Sequence, residues 1–441
     1  MIGLRNLGAI PALAICLAWG AEAQAASLAG ETLLRAADTV TDLPVKAPED
    51  AAIAHQLKGL KNAIAELRQI ISAGGWGRVS DATRETARDG GKDAGKDGPR
   101  LEPGIRDPRI AEIRYRLAYG WRELAEQPGL DSNLYDPSLA SLVKQFQTQH
   151  GLNADGIIGR GTTQAMNRSA VHKLGQLLVA YDKLRQQTPA GDETRIRVNL
   201  PAFTLEVYEG GVVTNSMAVV VGRPDRPTPL FSSRVNQITL NPTWTVPAKL
   251  AGEDLLPKLR RDPNILIKQG FAAYQGYNSP EPVNIASVNW SSVDKGRLPY
   301  WFRQEPGPRN SLGRYKMSMP NDQDIYLHDT PDRHYFQRDY RALSSGCIRV
   351  SRPAELVTWL LRHNSGWGNE RIGQVINGGQ TTHVGLSKVV PVSLEYLTAW
   401  IDATGTPHYR EDIYGLDAAH LAKLLRGDTP PIAALTPART H

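Results

Sequence analysis

The hydrophobic pattern of this chain changes period once, near Arg195, and that change limits what each part can fold into. Before it, apolar residues recur at three- and four-residue steps, as in Ile53, Leu57, Leu60, Ile64, Leu67 and Ile71. That spacing lines one face of a helix. After it, Ile196-Arg197-Val198-Asn199-Leu200 and Thr204-Leu205-Glu206-Val207-Tyr208 alternate at period two, as half-buried strands do. Glu209-Gly210-Gly211 joins the second run to Val212-Val213 as a hairpin would, and Met217 to Val221 reads as a buried strand. The expected class is α+β with several domains, and 441 residues suffice for two or three.

Residues 1–25 combine Arg5, an apolar run from Leu7 to Trp19, and Ala21-Glu22-Ala23-Gln24-Ala25. A basic start, an apolar core too brief to span a bilayer and small residues at A-x-A spacing predict a cleavable secretory signal. Residues 26–73 read as a helical segment stopped by Gly74-Gly75. Residues 74–108, with Asp89-Gly90-Gly91-Lys92-Asp93 at their centre, offer too few apolar positions to fold alone and are expected to be a flexible linker. Residues 109–172 form a helical unit. Ile110, Ile113, Leu117 and Leu124 mark one helix, and Asp136-Pro137 starts a second with the stripe Leu139, Leu142, Val143 and Phe146. Asp155-Gly156-Ile157-Ile158-Gly159 is a tight turn before a third helix near Thr162.

That unit resembles the small three-helix peptidoglycan-binding module of many wall enzymes. The resemblance rests on Val143-Lys144-Gln145-Phe146-Gln147, His150-Gly151-Leu152, the glycine turn and Thr162-Thr163. From 195 to 409 the chain is strand-rich, with a Pro-, Gly- and Trp-bearing stretch at 250–305 that reads as an insertion. Val392 to Ile401 reads as one late strand turning at Asp402-Ala403-Thr404-Gly405, and 410–441 as a C-terminal tail. The net charge of +6 suits any acidic polymer, and no recognition motif supports nucleic acid. Without H-E-x-x-H or C-x-x-C, and with ten scattered histidines, neither a metal nor another cofactor is expected.

Removal of the signal would take Cys16 with it and leave Cys347 as the one thiol. A lone thiol cannot close an internal disulfide, so it is either a small buried hydrophobe or a nucleophile. Its surroundings favour the second. Ile325 and Leu327 alternate toward His328, and Pro331 ends that strand. Ser344-Ser345-Gly346 then makes a turn in front of Cys347-Ile348-Arg349-Val350. A thiol attacks only as thiolate, which an imidazole in reach can generate as an ion pair, and the charge of Arg349 pushes the same way. Backbone N–H groups of Gly346 and Cys347 suit an oxyanion. His334 is the rival base, in a polar loop thirteen residues before Cys347.

His328, a nineteen-residue step and Ser344-Ser345-Gly346-Cys347-Ile348-Arg349 resemble the L,D-transpeptidase (YkuD-type) catalytic domain, with Ser345 where the family has a second histidine. The form with Ser-Ser-Gly-Cys resembles the large periplasmic subgroup, as do Gly74-Gly75-Trp76, Asn241 to Pro247, Asn310 to Lys316, and Val392 to Tyr414. The resemblance implies a β-rich catalytic domain with a lid-like insertion, located in the periplasm. It implies Cys347 as nucleophile, His328 as base, the Asp329 carbonyl as acceptor from the imidazole, and Gly346 in the catalytic turn. Tyr326, Asn310, Ser345 and Arg349 would line the substrate site. The implied reaction acylates Cys347 with a peptidoglycan tetrapeptide stem, releases D-alanine and passes the acyl group to an amine as a 3-3 cross-link. An L,D-carboxypeptidase or a transferase anchoring lipoproteins to the wall is the alternative on the same fold. Partners implied are stem peptides, wall-anchored lipoproteins and, as covalent inhibitors, carbapenem β-lactams.

Overall fold

The computed structural model describes residues 23–47, 50–80, 100–126, 128–187, 194–296 and 298–427. Most of the signal expected over 1–25 and the centre of the linker expected over 74–108 lie outside the described residues. The chain divides into two compact units, one of residues Gly191–Tyr396 and one of Met1–Ala190 with Leu397–His441.

In the first unit the period-two pattern becomes twelve strands among the described residues. They are β1 (Arg195–Asn199), β2 (Thr204–Glu209), β3 (Val212–Gly222), β4 (Ser232–Leu240), β5 (Trp244–Thr245) and β6 (Phe271–Tyr274). β7 (Trp301–Gln304), β8 (Tyr315–Ser318), β9 (Leu327–His328), β10 (Ala342–Ser344), β11 (Ile348–Val350) and β12 (Thr382–Glu395) complete the set. Nine of them form one sheet in the order β10-β3-β11-β9-β8-β4-β12-β1-β2. A further pairing of β2, the last strand of that order, with β3, the second, leaves little open edge. Gly210 and Gly211 both have positive φ, 57° and 77°, as the tight hairpin between β2 and β3 requires. Val219, Val220 and Val221 are fully buried without alternation, because this half of β3 is covered on both faces. The helix Pro353–Leu361 supplies cover elsewhere, packing Leu356, Val357, Leu360 and Leu361 inward against β8 and β12.

The stretch 250–305 has a core of its own. β5, β7 and β6 make a separate three-stranded sheet, and Val246, Leu255, Leu256, Leu266, Trp290 and Phe302 are buried around it. The Trp290 indole N–H donates to the Ile285 carbonyl at 2.7 Å, so the largest side chain of this core keeps its one polar group satisfied.

In the second unit the helices Ala23–Thr41, Ala51–Ser72, Ala170–Arg185 and Leu416–Leu425 share one core with a hairpin of β13 (Ala399–Ile401) and β14 (Pro407–Tyr409). Asp50 caps the second helix by accepting from the Ala52 and Ile53 N–H groups, a contribution of about 1 kcal/mol. A second core joins Ile110, Ile113, Leu117, Tyr135, Leu139, Val143, Phe146 and Met166. Asp136 caps its central helix, Pro137–Gln149, as the Asp-Pro pair predicts.

Three local readings differ from what formed. Leu124 sits on a separate short helix, Arg122–Glu126, because the first helix ends at Ala118, just before Gly120. The stretch 410–441, expected as a tail, holds the helix Leu416–Leu425, because Leu421 and Leu424 find a place in the helical core. The run from Val392 to Ile401 is divided: β12 ends at Glu395 in the first unit, and Ala399–Ile401 pairs with Pro407–Tyr409 in the second. Val79 and Leu101, on either side of residues 81–99, are both buried in the helical core.

Candidate active site

Cys347 is held on a turn between β10 and β11 whose polar atoms are bonded internally. The Ser344 hydroxyl donates to the Cys347 carbonyl at 2.6 Å and accepts the Gly346 N–H at 3.2 Å. Thr228 donates to the Gly346 carbonyl at 2.6 Å and accepts the Gly222 N–H at 2.8 Å. Gly346 has φ +121°, a conformation side chains disfavour, and an added Cβ would meet Ile325 at 3.3 Å. With the Gly346 N–H spent on Ser344, the Cys347 N–H is left without an acceptor among the described residues.

Sheet register brings the other side chains to the thiol. β9 runs parallel to β11 with Leu327 opposite Ile348 and His328 opposite Arg349, and antiparallel to β8 with His328 opposite Lys316. Paired residues share a face of a sheet. Lys316, His328 and Arg349 therefore form one row, and Tyr326 and Cys347 fall in the row beside it on the same face.

His328 is 5% exposed, and its Nδ1 lies 2.5 Å from the Asp329 carbonyl oxygen. A carbonyl only accepts, so Nδ1 carries the hydrogen and Nε2 keeps the lone pair a base needs. Burial, then the charges of Arg349 and Lys316, push the imidazole down to about 3, against the opposing pull of the Asp329 carbonyl. Burial pushes the half-buried Cys347 thiol up, offset by the Tyr326 backbone N–H and hydroxyl and by the charge of Lys316. The resting pair is thus neutral thiol beside neutral imidazole, which differs from the ion pair expected from sequence. Its physical reason is desolvation, which disfavours both charged forms.

The thiol donates to the Asp324 carbonyl at 3.5 Å, and no hydrogen bond joins it to His328 among the described residues. Asp324 points that carbonyl inward by adopting a left-handed φ of 53°. The loop is held by Asn321, whose side chain accepts from the Gln323 and Ile325 N–H groups, each at 3.0 Å.

The remaining expected residues divide by what their polar groups do. The Asp329 carboxylate faces away from the imidazole and accepts from the Arg314 and Thr330 N–H groups and from Arg333. Tyr326 stacks edge-on to His328 at 5.6 Å, and burial, then the neighbouring Cys347, push its hydroxyl well up, against the opposing pull of Trp244. Arg349 pairs with Asp332 at 3.0 Å. Asn310 is not available to a substrate: its amide is buried and donates to the carbonyls of Pro242, Gln304 and Glu305. Ser345 accepts from Arg223 at 3.3 Å and Arg226 at 3.2 Å, and Arg226 also binds Glu253 and Asp254 of the inserted stretch. His334 is exposed against Tyr335 and makes no hydrogen bond to Cys347 among the described residues. Lys316, Trp244, Asp324 and Arg226 were not singled out from sequence, since each reaches the thiol or its turn only through pairing between distant segments.

Residues 193–393 match the family described as L,D-transpeptidase catalytic domain (YkuD). Residues 107–166 match the family described as "Putative peptidoglycan binding domain". A curated protein of Haemophilus influenzae, named "Putative L,D-transpeptidase", is 40% identical over 222 residues. That match covers 50% of this chain and 44% of the relative, so the chain spans less than half of the relative's length. Among solved structures, an L,D-transpeptidase of Xylanimonas cellulosilytica is 15% identical, with 67% of this chain and 97% of that one covered and a TM-score of 0.22. An L,D-transpeptidase of Mycobacterium tuberculosis carrying a faropenem-derived adduct is 14% identical, with coverage of 46% and 60% and a TM-score of 0.23.

Proposed function

We propose that this chain, whose residues 193–393 match the L,D-transpeptidase catalytic domain, is a cysteine acyltransferase of the cell wall that forms 3-3 cross-links between peptidoglycan stems. One observation supports the chemistry above the rest. The Asp329 carbonyl claims the Nδ1 hydrogen of His328, so the other ring nitrogen is left as a proton acceptor on the sheet face that also carries Cys347.

In the first half-reaction His328 Nε2 takes the thiol proton as Cys347 Sγ bonds to the carbonyl carbon of the third stem residue. The oxyanion is received by the unspent Cys347 N–H. Collapse breaks the bond to the terminal D-alanine, the imidazolium returns its proton to the departing amine, and a thioester remains. An acceptor amine then attacks, gives its proton to His328 and expels the Cys347 sulfur, which is reprotonated. A neutral resting pair suits this sequence, because charge develops only when substrate has excluded water. The inserted stretch 250–305, tied to the catalytic turn through Arg226 and Ser345, serves as the cover that favours amine over water. Residues 107–166 hold the enzyme on peptidoglycan, and the reaction takes place in the periplasm. A strained β-lactam such as a carbapenem would acylate the same sulfur.

The test is incubation of purified protein with a disaccharide-tetrapeptide, with products and intact protein read by mass. D-Alanine release and dimer are expected. Cys347→Ala should abolish both release and the added mass after carbapenem exposure. His328→Ala should slow acylation about 10²–10⁴-fold, with partial recovery as pH rises and thiolate forms unaided. A Cys347→Ala protein that still gains the drug mass, or a His334→Ala protein that fails instead, would overturn these assignments.

A further inference from the structure

The row that holds His328 carries two cations, and the structure treats them differently. Arg349 is neutralised by Asp332 at 3.0 Å. Beside Ser345 of the catalytic turn, Arg223 and Arg226 are occupied by Asp225, Glu253 and Asp254. Lys316 makes no side-chain hydrogen bond and no ion pair with any described residue; its Nζ lies 4.1 Å from the centroid of the Tyr326 ring. Tyr326 shares its face of the sheet with Cys347. The lysine is half-buried, so its ammonium has surrendered part of its hydration and received no acceptor in return. Desolvation lowers it, while the nearby charges of Cys347 and Asp324 partly restore it.

An unfilled cation beside a nucleophile invites an anion of the substrate. If the reading under Proposed function holds, the donor peptide ends in a free carboxylate three covalent bonds from the carbon that Cys347 attacks. A carboxylate so close to the reacting carbon must lie within a side chain's length of the thiol. We propose that Lys316 Nζ receives the terminal carboxylate of the donor peptide and so makes the enzyme specific for a stem whose last residue is free. Binding there fixes the leaving residue while the attacked carbonyl rests over Cys347, and it rejects stems continued or capped at that end. The rejection is a matter of desolvation: an uncharged end would leave the ammonium buried without a counter-charge.

The experiment compares full-length wild type, Lys316→Met and Lys316→Arg on two donors, a disaccharide-tetrapeptide and the same peptide with a terminal carboxamide. Release of D-alanine or D-alaninamide gives kcat/KM for each pair. Wild type should prefer the free acid by roughly 10–100-fold, the worth of one charge-assisted hydrogen bond. Lys316→Met should erase most of that preference, chiefly through KM, and Lys316→Arg should keep much of it. Melting temperatures of the three proteins separate folding loss from recognition loss. Equal losses by Lys316→Met on both donors would overturn the assignment, placing Lys316 with Tyr326 or the thiolate instead. A wild-type protein that releases nothing from either donor would overturn the transpeptidase reading and this inference with it.

Discussion

Lowering the pH from 7 to 5 should weaken the fold through His328, and the amount follows from its surroundings. In the folded protein burial and two neighbouring cations hold the imidazole down to about 3, whereas an unfolded histidine titrates near 6.5. Below about 6.5 the unfolded chain gains a proton that the folded chain refuses, so stability falls with acidity. The contribution is complete above the unfolded value and is lost progressively as the pH drops toward the folded one. At pH 5 the binding ratio is roughly 30, which is about 2 kcal/mol, and the limit below both values approaches about 5 kcal/mol. Urea unfolding of wild type and His328→Gln, followed by tryptophan fluorescence at both pH values, isolates the residue from other titrating groups. The wild type should lose about 2 kcal/mol more than the variant over this interval. If the two lose stability in parallel, His328 is not held neutral by desolvation. The acid limb of acylation should likewise lie well below pH 6.5, since the same imidazole must be neutral to act.

Gly313 has φ +61°, and a Cβ there would lie 2.3 Å from the Asp329 carboxylate. Gly313→Ala should cost about 2–4 kcal/mol from left-handed strain and overpacking, and should slow acylation because the Asp329 carbonyl that orients His328 moves with its side chain. An unchanged melting curve would contradict this. Arg226→Met should free Glu253 and Asp254 of the 250–305 stretch from the turn at Ser345, and limited proteolysis should then cut within that stretch several-fold faster; an unaltered cleavage rate would mean that its own core, not Arg226, holds it.

What was legible in the sequence is what local chemistry determines. Asp136-Pro137 spelled a helix start, Gly210-Gly211 a hairpin and Gly346 a turn that side chains disfavour, and each formed where its residues stand. The thiol and the imidazole were visible for the same reason, one following a turn and the other ending a strand. Val392 to Ile401, read as one strand, is strand only up to Glu395 and again from Ala399. Alternation says which face is buried but not which sheet receives it, so the division at Tyr396 could not be seen.

The environment of the site belongs to that second kind of information. Lys316 stands twelve residues before His328 and Arg349 twenty-one after it, and only the order β8-β9-β11 makes them neighbours. Their charges help hold the imidazole neutral, and no motif around either residue announces that effect. Asp324 makes the same point through its backbone, since nothing in its side chain predicts a left-handed carbonyl turned toward the thiol. It follows that the motif and its reactivity can be separated. A Lys316→Glu chain would still spell His328 and Ser344-Ser345-Gly346-Cys347. It would place a carboxylate beside both, raise the imidazole by attraction, and set a repelling charge where the proposed substrate brings its own.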